Sequence, residues 1–428
     1  MSSDKSHNCQ VFHFDLYGTR EEKYEYLNNH SLSEVDWKEL QPEAPYNFFT
    51  PKDFSLQEEY EKGFSVTELI PINVSGIQTG RDELFIDNDS KRLSNRIESL
   101  LKGDVSQDFR ERYNVYDSSG YNLIQRISIA NFDTNKIMPI NYRPFDQRII
   151  YYDESLVKRS FYRVMKHLTR PNYALITSRQ CVSDWRYAFV SNQICDMNYI
   201  ASAGKLGGGY VFPLYLYQEN MGQEERIVNF NKEIYDKIAK RVNYLPCYDD
   251  NILVDPTSEY NGVLYPQALF DYIYAVLHSP NYRERYKEFL KIDFPRIPYP
   301  TDGKKFRDLA EQGEELRLLH LMENLPSKNG INFPVDGSMQ VDYYRWQDNC
   351  VYINSEQYFE GVPESAWNFF IGGYQPAQKW LKDRKGLTLS FNDVKHYGRI
   401  IYVLLQTERI MHEIDGMTVW GMWPYNKQ

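Results

Sequence analysis

The chain has 428 residues, of which 42% are hydrophobic and 25% charged, so it is long enough for two or three domains and too apolar for wholesale disorder. Its net charge of −10 argues against a uniformly basic nucleic-acid-binding surface. Five cysteines without CxxC spacing argue against a disulfide framework and a zinc knuckle. The sequence has no long apolar run and no apolar leader, and it therefore predicts a reduced, cytoplasmic protein without a membrane span.

The first 120 residues combine short regular elements with proline-rich, aromatic loops. Val11–Tyr17 has the composition of a β-strand, and Thr19 and Glu22 have the spacing of a capping box that begins a helix. This opening is expected to form a strand-turn-helix unit. Further helices are expected at about 55–63 and 90–114, with a soft domain boundary near residue 120.

The rest of the chain predicts an α+β fold, β-rich at 138–217 and mainly helical at 225–428. The apolar or aromatic runs of the β-rich part lie at Arg148–Tyr152, Tyr173–Thr177, Tyr187–Val190 and Tyr210–Tyr217, with one helix predicted at Arg159–Leu168. The later helices are predicted at about 228–241, Pro266–Leu277, Pro280–Leu290, Gly303–Met322, Gln375–Lys385 and Ser390–Ile414. Two short strands, near Val341–Tyr344 and Cys350–Asn354, are predicted to pair across a Gln-Asp-Asn turn.

Aromatic residues are in excess, with 36 tyrosines and 7 tryptophans. Amphipathic rings on a surface would stack on a partner or form hydrogen bonds to it. A β core rich in tyrosine would use the same residues internally. Composition alone leaves both interpretations open.

The sequence has no catalytic motif that stands out. It lacks the glycine-rich cofactor turn and the Asn-Pro-Pro-Tyr type of loop that an adenine methyltransferase needs, and it contains no Pro-Asp dipeptide for a PD…(D/E)xK nuclease. The glycine-rich stretch Gly204–Gly209 does not have the order of a phosphate-binding loop and is expected to be a hairpin tip. The (D/E)xK half of that nuclease motif occurs at Asp89–Lys91 and Asp302–Lys304, as chance allows, and Asp302 is expected to cap a helix.

Local charge points to DNA even though the whole chain is acidic. Residues 1–60 contain 5 Lys and Arg against 12 Asp and Glu, whereas residues 141–210 contain 10 against 5. Arg, Gln and Asn at the ends of β-segments can contact base edges, and spaced cations can contact phosphates. The predicted base-reading residues are Arg179, Gln180, Arg186, Ser191, Asn192 and Gln193. The predicted phosphate-contacting residues are Arg143, Arg148, Lys158, Arg159, Arg163, Lys166, Arg170 and Lys205. A solvated amphipathic helix with surface loops is the alternative interpretation of any one of them.

Several sequence blocks resemble a known family. The segment Ile140–Arg148 (INYRPFDQR), with Ile149–Tyr152 (IIYY) and Lys158–Arg163 (KRSFYR), resembles the entry of the specificity region of type ISP restriction-modification enzymes. Similar resemblances occur at Tyr274–Tyr286 (YAVLHSPNYRERY), Asp293–Pro298 (DFPRIP) and Gly372–Gly386 (GGYQPAQKWLKDRKG). The opening, with His13–Gly18 (HFDLYG) and Phe49–Asp53 (FTPKD), resembles the end of that family's methyltransferase region.

The resemblance implies a division into residues 1–120, the end of a methyltransferase-like region with connecting helices, and residues 121–428, a target recognition domain. Such a domain binds double-stranded DNA for an enzyme that joins a nuclease, an ATP-driven translocase and an adenine N6 methyltransferase. No cofactor is expected in this chain, and S-adenosylmethionine, ATP and Mg²⁺ are expected only in modules that it lacks. A partner polypeptide would supply those modules, or the chain would be a fragment of an interrupted gene.

Two other functions stay open at this point. An aromatic-rich carbohydrate-binding or carbohydrate-active protein would also use Tyr and Trp, because their rings stack on sugars. A small methyltransferase with diverged motifs is the other candidate, and the missing cofactor turn argues against it. In the Gly372–Gly386 block, Lys379, Lys382, Arg384 and Lys385 would contact phosphates or belong to a packed helix-turn interface. Tyr282, Arg283, Tyr286 and Lys287 are expected to be structural.

Overall fold

The structure is a computed structural model that describes residues 9–44, 46–201, 208–220, 223–248, 262–327 and 329–417. The chain divides into two units, Met1–Glu58 and Glu59–Gln428. The strands are β1 Val11–His13, β2 Lys38–Leu40, β3 Phe64–Ser65, β4 Val74–Ser75, β5 Ile86–Asp87, β6 Ile137–Arg143, β7 Asp146–Tyr151, β8 Ala174–Ser178, β9 Ala188–Ser191, β10 Gly209–Pro213, β11 Tyr215–Asn220, β12 Gln223–Val228, β13 Leu245–Pro246, β14 Val263–Leu264, β15 Arg296–Ile297, β16 Arg345–Gln347, β17 Cys350–Tyr352 and β18 Tyr358–Glu360.

The α-helices are α1 Arg20–Asn29, α2 Gln57–Glu61, α3 Val66–Leu69, α4 Asp82–Phe85, α5 Ser90–Lys102, α6 Gln107–Arg112, α7 Leu123–Ile129, α8 Tyr162–Met165, α9 Lys232–Val242, α10 Pro266–His278, α11 Pro280–Arg285, α12 Lys287–Leu290, α13 Gly303–His320, α14 Glu364–Asn368, α15 Pro376–Lys382 and α16 Phe391–Met417. Two 3₁₀ turns lie at Thr134–Lys136 and Lys166–Leu168. Within the described ranges, no helix combines the length and the apolar character that a bilayer-spanning segment needs.

The first unit contains the antiparallel pair β1 and β2 and the helix α1. The capping box predicted at the start of α1 is confirmed. The amide of Glu22 donates to Thr19 Oγ1 at 3.3 Å, and the amide of Thr19 donates to Glu22 Oε2 at 2.6 Å. Tyr26 of α1 stacks on Phe14, with ring centroids 5.8 Å apart.

The second unit combines small sheets with helices, which confirms the α+β fold class. Its largest sheet has the antiparallel order β4-β10-β8-β9, and a second sheet has the order β5-β7-β6. The remaining sheets are β16-β17-β18 and the pairs β11-β12, β13-β14 and β15-β3.

The helical part has a tightly packed centre in which α10 lies against α13. A Cβ atom on Gly313 of α13 would lie 1.8 Å from the carbonyl oxygen of Asp271, so only glycine allows this approach of the two helices. Beside it, the buried carboxylate of Asp271 accepts a hydrogen bond from Arg317 at 2.7 Å. This pair connects α10 and α13 within the core.

Much of the tyrosine excess lies in the core. The hydroxyl of Tyr121 donates to the carbonyl of Leu156 at 2.7 Å, and that of Tyr397 donates to the carbonyl of Ala377 at 3.1 Å. Such bonds satisfy a buried hydroxyl and connect segments that are distant in sequence. Other fully buried tyrosines include Tyr151, Tyr235, Tyr274, Tyr282 and Tyr286. The tyrosine-rich core, left open by composition, is therefore present.

Several secondary-structure predictions need correction. The helix predicted at Pro280–Leu290 is divided into α11 and α12, because Tyr286 leaves the helical conformation. The helix predicted at Arg159–Leu168 is only one α-turn, α8, followed by a 3₁₀ turn, because Arg159 pairs with Gln78 through both backbone groups and Phe161 has φ +51°. The helix predicted at 228–241 begins at Lys232, because strand β12 occupies Gln223–Val228.

In the late hairpin the first strand is β16, Arg345–Gln347, and not the predicted Val341–Tyr344, whereas β17 lies within the predicted Cys350–Asn354. Asp348 and Asn349 form its turn with φ +51° and +58°, values that favour Asp and Asn among non-glycine residues. The boundary near residue 120 stays a prediction. Buried residues from Leu84 to Val157 form one hydrophobic cluster on both sides of it.

Candidate nucleic-acid interface

The loops of the four-stranded sheet separate the predicted base-reading residues into two groups. Strand β8 ends at Ser178 and β9 begins at Ala188, so loop 179–187 connects the two strands at one end of the sheet. We name this row of strand ends the first edge and the opposite row the second edge. Gly209 of β10 pairs with Ser178 and begins at the same edge. Ser191 pairs with Ala174 at the opposite edge. The first edge carries Arg179, Gln180 and Arg186, and the second carries Ser191, Asn192 and Gln193.

Loop 179–187 presents three of the predicted residues at the surface. The guanidinium of Arg179, more than half exposed, lies 3.3 Å from a carboxylate oxygen of Asp293. Gln180 is exposed, and its amide nitrogen lies 3.5 Å from the carbonyl oxygen of Ile292. Arg186 lies over the ring of Phe370 at 4.6 Å from the centroid. These weak, surface-exposed contacts leave polar atoms of all three side chains available to a partner.

A glycine turn supports this loop from the side. The amide of Gly372 donates to the carbonyl of Arg186 at 2.8 Å, and the amide of Gly373 donates to the carbonyl of Ile200 at 2.9 Å. A Cβ atom on Gly372, where φ is +55°, would lie 1.9 Å from the Ile200 oxygen. The Gly372–Gly386 block therefore begins with a turn that holds two segments of the sheet edge together.

At the second edge, four side chains form a hydrogen-bonded set that we name the amide cluster: Asn141, Gln147, Ser191 and Gln193. Gln147 donates to Gln193 at 2.9 Å, Gln193 to Asn141 at 2.6 Å, and Asn141 to Ser191 at 2.8 Å. Ser191 is fully buried, so direct contact with a base does not fit its position. Asn192 is exposed beside the cluster, with its amide nitrogen 3.5 Å from Glu323.

Two of the predicted phosphate contacts lie in an internal ion network. Arg143 is buried and donates to Asp196 at 2.6 Å. Arg148 lies over the ring of Tyr142 and donates to Asp146 at 2.9 Å. Because an internal carboxylate already neutralises each guanidinium, these positions fit a structural role better than a phosphate contact.

The same network joins the β6–β7 hairpin to the Gly372–Gly386 block. The buried carboxylate of Asp146 also accepts a hydrogen bond from Arg384 at 2.9 Å, and Asp383 lies 3.5 Å from Arg148. Although burial alone would raise it, the guanidiniums of Arg148 and Arg384 hold the pKa of Asp146 below its usual value. The β6–β7 hairpin and the Gly372–Gly386 block therefore pack against each other, and Arg384 belongs to that packed interface.

The other predicted phosphate contacts are at the surface. Arg159, Arg163, Lys166 and Arg170 are exposed, and Lys158 is partly exposed. They follow one another along an extended segment, the short helix α8 and a 3₁₀ turn rather than along one helix face. Lys205 lies outside the described residues.

The family of the chain follows from a family-model comparison. Residues 68–413 match the model described as the Type ISP C-terminal specificity domain. The chain belongs to this family. A comparison with curated proteins finds no significant match.

The chain also has the fold of solved structures that include two Type ISP restriction-modification enzymes. It superposes on a nuclease-deletion mutant of the Type ISP enzyme LlaGI in complex with a DNA substrate mimic with a TM-score of 0.70 and 20% identity, over 96% of this chain and 33% of that one. For a DrdV–DNA complex the TM-score is 0.72 at 17% identity, over 92% and 41%. For DNA-bound LlaBIII, an ATP-dependent Type ISP enzyme, it is 0.66 at 18% identity, over 89% and 26%. The chain thus spans less than half the length of each of these proteins.

Among the described residues, no three or more His, Cys, Asp and Glu side chains are grouped to hold a metal ion. Asp302 caps helix α13 as predicted, accepting from the amide of Lys305 at 2.9 Å. Tyr282 and Tyr286 are buried, as their predicted structural role requires. Burial raises the pKa of the Cys181 thiol to about 11, which makes it a poor nucleophile at neutral pH.

Proposed function

We propose that this chain is the sequence-specific DNA recognition module of a type ISP restriction-modification enzyme. The observation that carries the proposal is the family match over residues 68–413, because that family is described as a specificity domain. The three solved proteins of the same fold are bound to DNA or to a DNA substrate mimic, which supports double-stranded DNA as the partner. A cytoplasmic location belongs to the same proposal.

The exposed cations and the loop at the sheet edge are the proposed contacts. Arg159, Arg163 and Lys166 would bind phosphates, since exposed cations neutralise the backbone whatever its sequence. Arg179, Gln180 and Arg186 would contact base edges, because Arg pairs bidentately with guanine and Gln with adenine. Their position in one surface loop allows them to approach neighbouring base pairs together.

Methylation, translocation and cleavage would come from other modules, in the same polypeptide or in a partner. The described residues contain no acidic cluster for Mg²⁺, and the sequence has no methyltransferase cofactor turn. Calorimetry of the chain with S-adenosylmethionine should therefore show no heat of binding. A stoichiometric micromolar site would identify a diverged methyltransferase instead.

The phosphate contacts are tested by fluorescence anisotropy with labelled duplexes at several salt concentrations. Replacing Arg159 and Arg163 together by alanine should weaken binding to all duplexes and reduce the slope of log affinity against log salt by about two, since each phosphate contact contributes about 0.9. Replacing Lys304 and Lys305, exposed cations on α13, is the matched control. Equal losses in both double variants would contradict the assignment.

The base contacts need a comparison of sequences. Replacing Arg179 or Gln180 by alanine should cost about 1–3 kcal/mol on the preferred site and little on other duplexes. The measurement should be repeated with a methyltransferase module joined to the chain, because a second module clamps the duplex from another side. An unchanged site preference in both variants would reject these two residues as base contacts.

The carbohydrate alternative gains no support from the family match or the fold. Binding of glycans in place of DNA would support it instead.

A further inference from the structure

The amide cluster gives Gln147 an orientation that a surface glutamine does not normally have. Gln147 lies in β7 with its side chain exposed, while Asp146 beside it is buried in the ion network. Its amide nitrogen donates to Gln193 Oε1 at 2.9 Å. The sequence did not distinguish this residue, since its hydrogen-bond partner Gln193 lies 46 positions away along the chain.

The orientation is set by a backbone carbonyl at the far end of the cluster. The hydroxyl of Ser191 lies 2.5 Å from the carbonyl oxygen of Gln193, and a carbonyl can only accept, so the hydroxyl must donate there. Its oxygen is then the acceptor for Asn141 Nδ2, which turns Asn141 Oδ1 towards Gln193 Nε2. Gln193 Oε1 in turn faces the nitrogen of Gln147. The direction of every amide follows from the first bond.

The free atoms of Gln147 form a recognition edge. One N–H is used by Gln193, so Oε1 and the second N–H remain as an acceptor and a donor of the same amide. In the major groove adenine presents an N6–H donor beside the N7 acceptor, which this pair matches. Guanine presents two acceptors there, and cytosine presents an amino donor, so neither satisfies both atoms of the amide.

We propose that Gln147 is a base-reading residue that selects adenine in the DNA target, and that Gln193 and Asn141 are positioning residues that hold its amide. The inference rests on the proposed DNA-binding function. Because the cluster already fixes the amide, Gln147 loses less conformational entropy on binding than an unconstrained glutamine would. Ser191 and Gln193 were predicted to contact bases themselves. In this proposal they orient Gln147, and Gln147 contacts the base.

Exposed cations lie near Gln147 and fit the phosphates that flank a contacted base. Arg384, which bonds to Asp146, is followed in sequence by the exposed Lys385, and the exposed Lys382 precedes Asp383. Asp383 lies 3.5 Å from Arg148, the residue after Gln147. The end of the Gly372–Gly386 block thus brings positive charge to the side of the β6–β7 hairpin.

The test is selection of bound sequences from a pool of duplexes with a randomised centre, using the whole chain. The wild type should enrich a motif with adenine at one position, and the preference of the protein for that adenine should depend on residue 147. Q147A should lose the preference at that position by about 5- to 150-fold while the other positions keep theirs. Q147E should favour cytosine there, because a carboxylate accepts from the cytosine amino group. Q125A, a change of an exposed glutamine on α7, is the control and should enrich the wild-type motif.

Gln193→Met tests the positioning role, since it keeps side-chain length but removes the amide. It should weaken the adenine preference without shifting it to another base, and thermal unfolding checks that the chain still folds. If Q147A and Q147E both enrich the wild-type motif at every position, the inference is wrong while the DNA-binding proposal stands. If the wild-type chain enriches no motif, the proposed function fails and the inference fails with it.

Discussion

Replacing Asp146 by asparagine should be among the most destabilising single changes of its size in the chain. The carboxylate is buried and accepts from Arg148 Nε at 3.0 Å, Arg148 Nη2 at 2.9 Å and Arg384 Nη2 at 2.9 Å. Asparagine removes the buried counter-charge that the two guanidiniums share and leaves only Asp383, 3.5 Å from Arg148, and breaking a buried ion pair by removing one partner costs about 3–5 kcal/mol. That is a large part of the 5–15 kcal/mol by which a domain is typically stable.

The assay is urea unfolding of the wild type and the variant at pH 7, with Asp184→Asn as the matched control. Asp184 also faces an arginine, Arg186, at 3.4 Å, but its side chain is 79% exposed, so this surface pair should contribute no more than about 1 kcal/mol. The D146N midpoint should fall well below that of the control, at an unchanged denaturant slope. Equal midpoints for the two variants would refute the argument that burial makes the difference.

The pH dependence supplies a second test of the same reasoning. The pKa of Asp146 is lowered from 3.8 in the folded chain, so its stabilising contribution is present above that value and is lost as the pH falls through the folded pKa. The difference in unfolding free energy between wild type and D146N should therefore be constant near neutrality and shrink in acid. A difference that grows on acidification would contradict the sign.

Two further predictions concern the core and the sheet edge. Burial lowers the pKa of His320 to about 3, so between pH 6.5 and 3 the unfolded chain binds a proton that the folded chain does not. The unfolding free energy should therefore fall on acidification by up to about 1.4 kcal/mol per pH unit. His320→Gln should show a shallower dependence of unfolding free energy on pH, and an identical dependence would exclude His320 as the cause. Gly372→Ala should lower the unfolding temperature much more than Gly386→Ala. Both glycines have positive φ, but only the Cβ added at Gly372 meets a backbone atom, the carbonyl oxygen of Ile200 at 1.9 Å. Similar decreases in unfolding temperature would mean that the turn can move away from Ile200.

The sequence predicted the parts of the fold that depend on local signals. The capping box at Thr19 and the cap at Asp302 are two-residue signals that need no tertiary information, and both helices begin there. Long apolar periodic segments such as α10 were also predicted almost to the residue, because periodicity over several turns outweighs errors at the ends. The family resemblance is confirmed by the match over residues 68–413, whereas the division at residue 120 stays a prediction.

Long-range contacts account for the parts that the sequence did not predict. Arg159 is held in an extended conformation by the backbone of Gln78, some 80 positions earlier, so its helical pattern was overridden. Strands β3 and β15 have two residues each and pair across more than 200 positions, which leaves no local pattern to detect. For the candidate interface, charge indicated the region, but the burial of Arg143 and the orientation of Gln147 depend on side chains from other segments.

The tyrosine hydroxyls of the core make alkaline unfolding of this chain visible by absorbance. Burial raises the pKa of Tyr121 to about 12, and it raises that of Tyr397 well above the ordinary value of 10. Between pH 10 and these values the unfolded chain releases phenolic protons that the folded chain retains, so rising pH favours unfolding. The buried phenols should therefore ionise together when the core opens. The ultraviolet spectrum of tyrosinate would then record the cooperativity of the core without any added label.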